Sequence, residues 1–291
     1  MSRAGTPFVK GHGTGNDFVI LPDPTGDLEV TSSRARALCD RQQGIGADGV
    51  LVVARTAAHP EVSEQADLAP WFMDYRNADG SVAQMCGNGA RVFVAHLLEE
   101  GLAGPGTFHI ATRGGARRVT ADAGGAIEIE MGTPTFLGRD DILVRLAESA
   151  AATNASAAVG VLMPNPHAVT WVDDLMAAGA LNVAPSVTPG DAYPEGVNVE
   201  FVRVLADDHL QMRVFERGVG ETLSCGTGAC AAAVATVRRR GGGPDGRRIR
   251  VDVPGGTVGV TWRPDGTVQL DGPVQMVARG EIDPLWWEMH V

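Results

Sequence analysis

The sequence has no long hydrophobic run. Its longest apolar stretch lies around residues 229–237, far short of the roughly 20 residues that a membrane-spanning helix needs. The first ten residues, MSRAGTPFVK, also lack the apolar core of a secretion signal. We therefore expect a soluble, cytoplasmic protein with no membrane partner.

Basic charge is scarce as well. The chain has 24 Lys and Arg residues against 35 Asp and Glu residues, which gives a net charge of −11 at pH 7. Nucleic acids and anionic membranes bind proteins through basic faces, so neither is an expected partner. We interpret the local basic runs at 238–240 and 246–250 as cations at a helix end and on a solvated strand.

Cysteine is rare, with only Cys39, Cys86, Cys225 and Cys230 in 291 residues. Without a secretion signal, four cysteines in a chain of this size indicate reduced thiols rather than a disulfide framework. Cys39 and Cys230 are interpreted as small packed hydrophobic residues, because neither precedes a glycine-rich helix start in the way that the other two do.

Turn residues are abundant, with 38 glycines and 17 prolines between short runs rich in Val, Ile and Thr. This pattern predicts a mostly β protein, including a hairpin of 257–262 with 267–270 around the turn RPDG. Three helices are predicted, at 32–41 with Thr31 or Ser32 as cap, at 90–100 and at 229–240. The stretch 146–161 is expected to be a weak helix or a loop.

Two segments of the chain resemble each other. FMDYRNADGSVAQMCGNGARVFVAHLLEEG and MRVFERGVGETLSCGTGACAAAVATVRRRG each read as strand, polar turn, Cys-Gly-x-Gly-Ala, helix and glycine. Nine positions separate Asn77 from Cys86, and nine separate Glu216 from Cys225. A weaker similarity pairs NDFVI at 16–20 with NPHAV at 165–169. We expect a duplicated domain, divided into 1–132 plus 274–291, carrying Cys86, and 133–273, carrying Cys225.

The paired motifs indicate acid–base chemistry. A cysteine at a helix start lies at the positive end of the helix dipole, which lowers the pKa of the thiol. Glycines on both sides of Asn88 and of Thr227 expose backbone N–H groups that can bind a carboxylate or phosphate. Two such helices facing each other would hold one anionic group between two sulfurs. That arrangement suits removing a proton from one face of a carbon and adding one to the other.

Other protein classes fit the motifs less well. A redox protein would be expected to carry Cys-x-x-Cys, whereas four residues separate Cys225 from Cys230 and Cys86 has no near partner. A nucleotide-binding module is suggested by the glycine runs, but neither a Walker A motif nor Gly-x-Gly-x-x-Gly after a strand is present. Functionally required disulfide cycling would favour the first alternative, and stabilisation by nucleotide the second.

Seven motifs together resemble the diaminopimelate epimerase family. They are GTGNDFV at 13–19, NADGS at 77–81, MCGNGAR at 85–91, PNPH at 164–167, GVNVEF at 196–201, FERGVGET at 215–222 and SCGTGAC at 224–230. The resemblance implies an α/β (α+β) fold of two pseudo-symmetric domains, each a barrel-like, mostly antiparallel sheet around a central helix. It also implies an isomerase, usually a homodimer, that interconverts LL- and meso-2,6-diaminopimelate in lysine and peptidoglycan-precursor biosynthesis without cofactor or metal.

The resemblance also implies roles for individual residues. Cys86 and Cys225 would form the thiol and thiolate pair, with His167 and Glu216 tuning the pKa values of the thiols. The substrate-binding residues would be Asn16, Asn77, Gly87, Asn88, Asn165, Asn198, Glu216, Arg217, Gly226 and Thr227. One departure is Gly49, where the family often has a glutamine, so the group that replaces this amide contact is left open.

The resemblance leaves a second enzyme of the same superfamily as an alternative, either a proline-racemase-like or a phenazine-type isomerase. Asn16, Asn165, Asn198 and Arg217 favour a substrate with a second charged end, which proline lacks.

Overall fold

A computed structural model of the chain describes residues 5–146 and 155–290. The chain forms two compact units, the first made of Met1–Ile129 with Pro273–Val291 and the second of Glu130–Gly272. Within the described residues, no helix is both long and apolar enough to cross a membrane.

Strands dominate both units, and α-helices are few among the described residues. In chain order the elements are β1 (Thr6–Gly13), β2 (Asn16–Asp23), α1 (Ser32–Cys39), β3 (Gly49–Arg55), β4 (Trp71–Asn77), α2 (Gly87–Glu99), β5 (Gly106–Ile110), β6 (Arg117–Ala121), β7 (Ile127–Gly132), β8 (Thr135–Phe136), β9 (Leu143–Arg145), β10 (Ala155–Leu162), β11 (Pro166–Trp171), β12 (Ser186–Thr188), β13 (Asn198–Ala206), β14 (His209–Glu216), β15 (Gly220–Glu221), α3 (Gly226–Arg239), β16 (Arg248–Val253), β17 (Gly256–Trp262), β18 (Val268–Asp271), β19 (Gln275–Ile282) and α4 (Pro284–Met289). Short 3₁₀ turns lie at Thr56–Ala58, Pro60–Gln65, Leu175–Ala178 and Gly190–Ala192.

The main sheet of the first unit has the order β19-β1-β2-β3-β4. Only β2 and β3 pair in parallel, while the other neighbours are antiparallel. The central strand β3 reads GVLVVA before its last residue and is buried throughout that run, as expected for a strand covered on both faces. Helix α2 packs against β1 to β4, and its Val92, Phe93, Val94 and Leu97 are fully buried.

The second unit repeats this arrangement. Strands β10 and β11 pair antiparallel, β11 and β13 pair parallel, and β13 and β14 pair antiparallel. This is the pattern of β1 to β4. The buried helix α2 comes next in the first unit, and α3 follows the two-residue strand β15 in the second. The sheet wraps around a central helix, because α3 contacts β10, β11, β13, β14, β16, β17 and β18. The predicted fold class is confirmed.

Several local predictions are confirmed. The hairpin pairs β17 with β18, with Trp262 opposite Val268, and Thr31 caps α1 by accepting from the backbone N–H of Arg34 at 3.1 Å. Both alanine-rich helices begin three residues earlier than predicted, at Gly87 and Gly226, because each cysteine itself serves as the N-cap.

Two predictions differ from the structure. The expected weak helix or loop at 146–161 is wrong for 155–161, which belong to β10, while 147–154 lie outside the described residues. Helix α4 was not predicted. It has only six residues, with Asp283 as N-cap and Pro284 at its first position, and so is too short to show a helical repeat of apolar residues.

Candidate active site

Cys86 lies at the start of α2 in the first unit. Its backbone is extended, with φ of −138° and ψ of 123°, and its side chain is the N-cap of the helix. The backbone N–H of Gly89 donates to Sγ at 3.4 Å. A side chain at Gly89 would lie within 3.4 Å of Phe18, Leu51 and the Cys86 Cβ, so the glycine lets the helix start pack closely against the sheet.

A hydrogen-bonded cluster joins Cys86 to Asn16. The thiol donates to Asn16 Oδ1 at 3.7 Å, and the amide of Asn88 donates to the same oxygen at 3.3 Å. Asn16 Nδ2 in turn donates to Asp48 Oδ2 at 2.8 Å. The buried Arg91 donates to Asn88 Oδ1. The Asn16 amide is therefore held with its oxygen toward the thiol and its nitrogen toward a carboxylate.

Asp48 belongs to an ionic group that sequence reasoning did not single out. Asp17 accepts hydrogen bonds from Lys10 at 2.6 Å and from Arg41 at 2.8 Å, and Arg41 also bridges to Asp48 at 2.8 Å. Burial alone would raise the pKa of Asp17, but its hydrogen bonds with Arg41 and Lys10 hold that pKa at about 2. The group fixes the loop before β3 to the start of β2.

Asn77 ends β4 directly opposite Gly49 on β3. Its Nδ2 donates to Ser81 Oγ at 2.9 Å. A Cβ at Gly49 would lie 2.6 Å from Cε2 of Tyr75 and 2.7 Å from the carbonyl oxygen of Arg76, with the Tyr75 hydroxyl oxygen 3.4 Å away. The Tyr75 ring thus fills the space where a side chain at Gly49 would begin, which explains why no amide can extend from this position.

Cys225 occupies the matching position in the second unit. It is the N-cap of α3, and the backbone N–H of Gly228 donates to its Sγ at 3.3 Å. Thr227 Oγ1 lies 3.4 Å from the sulfur. Unlike Cys86, which is partly exposed, Cys225 is buried.

The pKa of the Cys225 thiol is raised well above its ordinary value. Burial is the largest cause, followed by the negative charges of Glu216 and Glu200, which together outweigh the hydrogen bonds with Thr227 and Gly228. The expected lowering of the thiol pKa is therefore wrong for Cys225, because desolvation and two nearby carboxyl groups oppose the helix dipole. This raised pKa favours the protonated thiol of Cys225 at neutral pH.

His167 lies in a buried polar cluster beside Cys225. Its Nδ1 is 2.6 Å from Glu200 Oε1, its Nε2 is 2.9 Å from Asn165 Oδ1, and both His167 and Glu200 are fully buried. Burial raises the pKa of Glu200, although His167 opposes that rise. Glu200 was not predicted as a site residue. The available signal was a single acidic residue within the apolar run of GVNVEFV.

Three of the residues predicted to bind substrate, Asn198, Glu216 and Arg217, lie at the ends of β13 and β14. Asn198 Oδ1 accepts from the backbone N–H of Arg217 at 2.9 Å, while the Arg217 guanidinium donates to the Glu195 carbonyl at 3.0 Å. Glu216 accepts from Thr222 Oγ1. Burial raises the pKa of Glu216, against the hydrogen bonds with Thr222 and Cys225. Glu216 therefore lies near the thiol of Cys225, the residue nine positions after it in the sequence.

The two remaining cysteines are buried, as predicted. Cys39 and Cys230 are 5% and 0% exposed, and burial raises the pKa of Cys39 to about 12. Among residues 5–146 and 155–290, no group of three or more His, Cys, Asp and Glu side chains is placed to hold a metal ion.

Comparisons with known proteins find relatives over nearly the whole chain. A family model described as diaminopimelate epimerase matches residues 8–137 and 159–277. The chain is 50% identical over 285 residues to a diaminopimelate epimerase of Streptomyces coelicolor, covering 97% of this chain and 96% of the relative. It is 46% identical over 281 residues to a diaminopimelate epimerase of Thermobifida fusca, covering 94% and 97%.

Solved structures share the fold at low identity. A phenazine biosynthesis protein of the PhzF family from Bacillus anthracis superimposes with a TM-score of 0.70 at 15% identity, covering 96% of this chain and 99% of that one. A hydroxyproline epimerase from Agrobacterium vitis has a TM-score of 0.67 at 15% identity, covering 98% and 95%. The duplicated sheet-and-helix units place the chain in this fold class.

The sequence relatives then identify the family within that class. The chain belongs to the diaminopimelate epimerase family. It is an isomerase of the racemase and epimerase class.

Proposed function

We propose that Cys86 and Cys225 form the acid–base pair of a two-base epimerisation that converts LL-2,6-diaminopimelate to meso-diaminopimelate. The reaction type follows from family membership. The single observation that supports the assignment of the pair is their equivalence: each cysteine is the N-cap of the buried helix in its own unit, with a backbone N–H on its sulfur at 3.4 Å or 3.3 Å.

The proposed chemistry needs only proton transfers. One sulfur, as a thiolate, removes the proton from the α-carbon, and the electron pair left on that carbon delocalises into the adjacent carboxylate. The other sulfur, as a thiol, then gives its proton to the opposite face of the carbon, so that the thiol and thiolate roles are exchanged. Backbone N–H groups at Gly87, Asn88, Gly226 and Thr227 would stabilise the charge that develops on the carboxylate.

The remaining predicted residues would bind the two ends of the substrate. Asn16 is hydrogen-bonded to Cys86 and so would act near the reacting centre. Asn77, Asn165, Asn198, Glu216 and Arg217 would bind the distal aminocarboxylate, where a guanidinium favours the planar carboxylate. His167 and Glu216 would influence the pKa values of the thiols, since the negative charge of Glu216 contributes to the raised pKa of Cys225.

The same proposal includes the organisation of the protein. The two epimerase domains would comprise 1–132 plus 274–291 and 133–273, and the enzyme would work as a cytoplasmic homodimer in lysine and peptidoglycan-precursor biosynthesis. Sedimentation of the purified protein at micromolar concentration would give the dimer mass. A monomer that retains full activity would contradict the dimer.

The test is to incubate purified protein with LL-diaminopimelate in reductant and to follow the meso isomer by chiral chromatography, without added pyridoxal phosphate or metal. We expect product with the parent chain and no product with Cys86→Ala or Cys225→Ala. The matched controls are Cys39→Ala and Cys230→Ala, which change buried cysteines outside the site and should retain activity. Substantial epimerisation by either of the first two variants would refute the pair.

A further inference from the structure

We propose that Glu200 is a positioning residue that acts through His167 to present the amide NH₂ of Asn165 to a carboxylate of the substrate. This inference rests on the proposed function, because it takes Asn165 as a substrate-binding residue. It adds a role for Glu200, which does not itself need to touch the substrate.

The first support is a comparison of the two units. Phe18 pairs with Gly49 across the parallel β2–β3 ladder, and His167 pairs with Asn198 across the equivalent β11–β13 ladder. Two residues further along β3 lies Leu51, and two further along β13 lies Glu200. The buried His167–Glu200 pair therefore occupies the positions that Phe18 and Leu51 fill in the first unit.

The environment of these positions agrees with that equivalence. Gly89, three residues after Cys86, would place a Cβ 3.4 Å from Phe18 and 3.4 Å from Leu51. Gly228, three residues after Cys225, would place a Cβ 2.9 Å from Glu200 Oε1 and 3.3 Å from Cys225 Sγ. Phe18 and Leu51 are both fully buried. The fold thus accommodates two apolar side chains here, and a polar pair is not required for packing.

Placing a carboxyl group at this position has an energetic cost. Glu200 is fully buried, and its Oε2 has no hydrogen-bond partner among the described residues. A buried polar atom left unpaired is unfavourable. An apolar pair at the same positions would avoid that penalty, so the pair contributes something other than stability.

Its contribution is a fixed proton on His167. Asn165 Oδ1 is an acceptor, so the Nε2 that lies 2.9 Å from it carries a proton. Nδ1 faces Glu200 Oε1 at 2.6 Å, and one proton lies between them on either atom. With this proton on Glu200 the ring is neutral and carries its proton at Nε2, and with it on Nδ1 the ring is an imidazolium. In both cases Nε2 donates to Asn165 Oδ1, which fixes the direction of the Asn165 amide.

The fixed amide presents a donor to the ligand. With Oδ1 bound to His167, the partly exposed Asn165 is left to donate through Nδ2. Asn16, at the equivalent position in the first unit, is fixed in the opposite direction, because Asp48 accepts from its Nδ2. A carboxylate only accepts hydrogen bonds, so Asn165 fits that end of an amino acid and a reversed amide would repel it.

The first experiment measures the proton directly in the ligand-free chain. Protein labelled with ¹⁵N-histidine should show a protonated Nε2 on His167 at neutral pH, assigned by its loss in His167→Phe. The signal should survive in Glu200→Gln, because a Gln amide can donate to Nδ1, and should change in Glu200→Leu. An unprotonated Nε2 in the parent chain would overturn the proposal, whether or not the chain proves to be an epimerase.

The second experiment is kinetic. His167→Phe with Glu200→Leu transfers the pair of the first unit into the second, so the double variant should fold with the parent circular dichroism spectrum. We expect a KM for diaminopimelate raised roughly tenfold or more, as for a lost hydrogen bond to a charged group. Glu200→Leu alone should also raise KM, whereas Glu200→Gln should have a KM near that of the parent.

A double-mutant cycle separates positioning from a structural role. In an Asn165→Ala background, Glu200→Leu should change KM by less than about twofold, because the residue through which it acts is gone. In an Asn77→Ala background, which is the matched control in the other unit, its full effect should persist. Equal effects in both backgrounds, or an unchanged KM in the single variant, would overturn the proposal. Absence of epimerase activity in the parent chain would instead refute the proposed function.

Discussion

Asp48 accepts a hydrogen bond from the amide of Asn16 at 2.8 Å, and this bond determines which end of the amide faces Cys86. An amide that turned over would place its nitrogen at the thiol and lose the contact with Asn88. The loop before β3 therefore controls a group that lies beside the sulfur of Cys86.

Asp48→Ala should lower kcat/KM for diaminopimelate by about tenfold, because one hydrogen bond to a charged group no longer fixes Asn16. Steady-state kinetics on the purified variant would measure this. Asp40→Ala is the control, since Asp40 lies at the nearby end of α1 and its carboxylate accepts from the backbone N–H groups of Gln42 and Gln43. An Asp48→Ala enzyme as active as that control would show that Asn16 holds its orientation without the carboxylate.

The raised pKa of Cys225 makes a prediction about its reactivity. Because the thiolate is the nucleophile, iodoacetamide should modify Cys225 slowly at pH 7.5 in the ligand-free chain and faster as the pH rises. Glu216→Gln removes one of the negative charges that raise this pKa, so it should increase the rate at a given pH. Peptide mass spectrometry would follow the modification. Slower modification of Cys225 in Glu216→Gln would contradict the conclusion that the charge of Glu216 raises the pKa of this thiol.

The sequence was sufficient to predict the β-rich duplicated fold, because the two Cys-Gly-x-Gly-Ala segments repeat both in residues and in spacing. It was also sufficient to predict that each cysteine lies at a helix start. It did not reveal that Cys225 is buried against Glu216 and Glu200, because burial depends on how β13 and β14 pack against α3. The helix dipole is visible in a sequence, whereas the desolvation that opposes it is not.

Asp48 and Tyr75 were missed for a related reason. Asp48 contacts Asn16 across 32 positions of sequence, and Tyr75 is recognised only because its ring lies where a Gly49 side chain would begin. Contacts of this kind depend on strand register. A single sequence predicts strands far better than it predicts which of their residues lie opposite each other.

The Asp17 ion pairs predict a pH-dependent loss of stability. The pKa of Asp17 is about 2 in the folded chain against an ordinary value of 3.8. The stabilisation by the ionised Asp17 is therefore nearly complete above about pH 4 and is lost as the pH falls through 2. The difference corresponds to about 2 kcal/mol. Asp17→Asn should therefore lower the free energy of unfolding by about that amount at pH 7, and by less as the pH approaches 2.

Urea unfolding at pH 7, 4 and 3 would measure the difference between Asp17→Asn and the parent chain. Asp67→Asn, at an exposed position, is the matched control and should leave the free energy of unfolding nearly unchanged at every pH. A difference between Asp17→Asn and the parent that stays constant from pH 7 to pH 3 would mean that Asp17 stabilises the fold by packing rather than by its charge.

Solvent isotope incorporation distinguishes two bases from one. In the proposed mechanism the thiol that delivers the new proton is not the thiolate that removed the old one, and a thiol exchanges readily with solvent when it is open to water. In D₂O with LL-diaminopimelate, early product should therefore carry deuterium at the inverted centre while unreacted substrate keeps its protium. A single base would return some of the original proton to the product. Mass spectrometry of both isomers within the first few per cent of conversion would decide, and early product that retains substrate protium would exclude separate acid and base roles for Cys86 and Cys225.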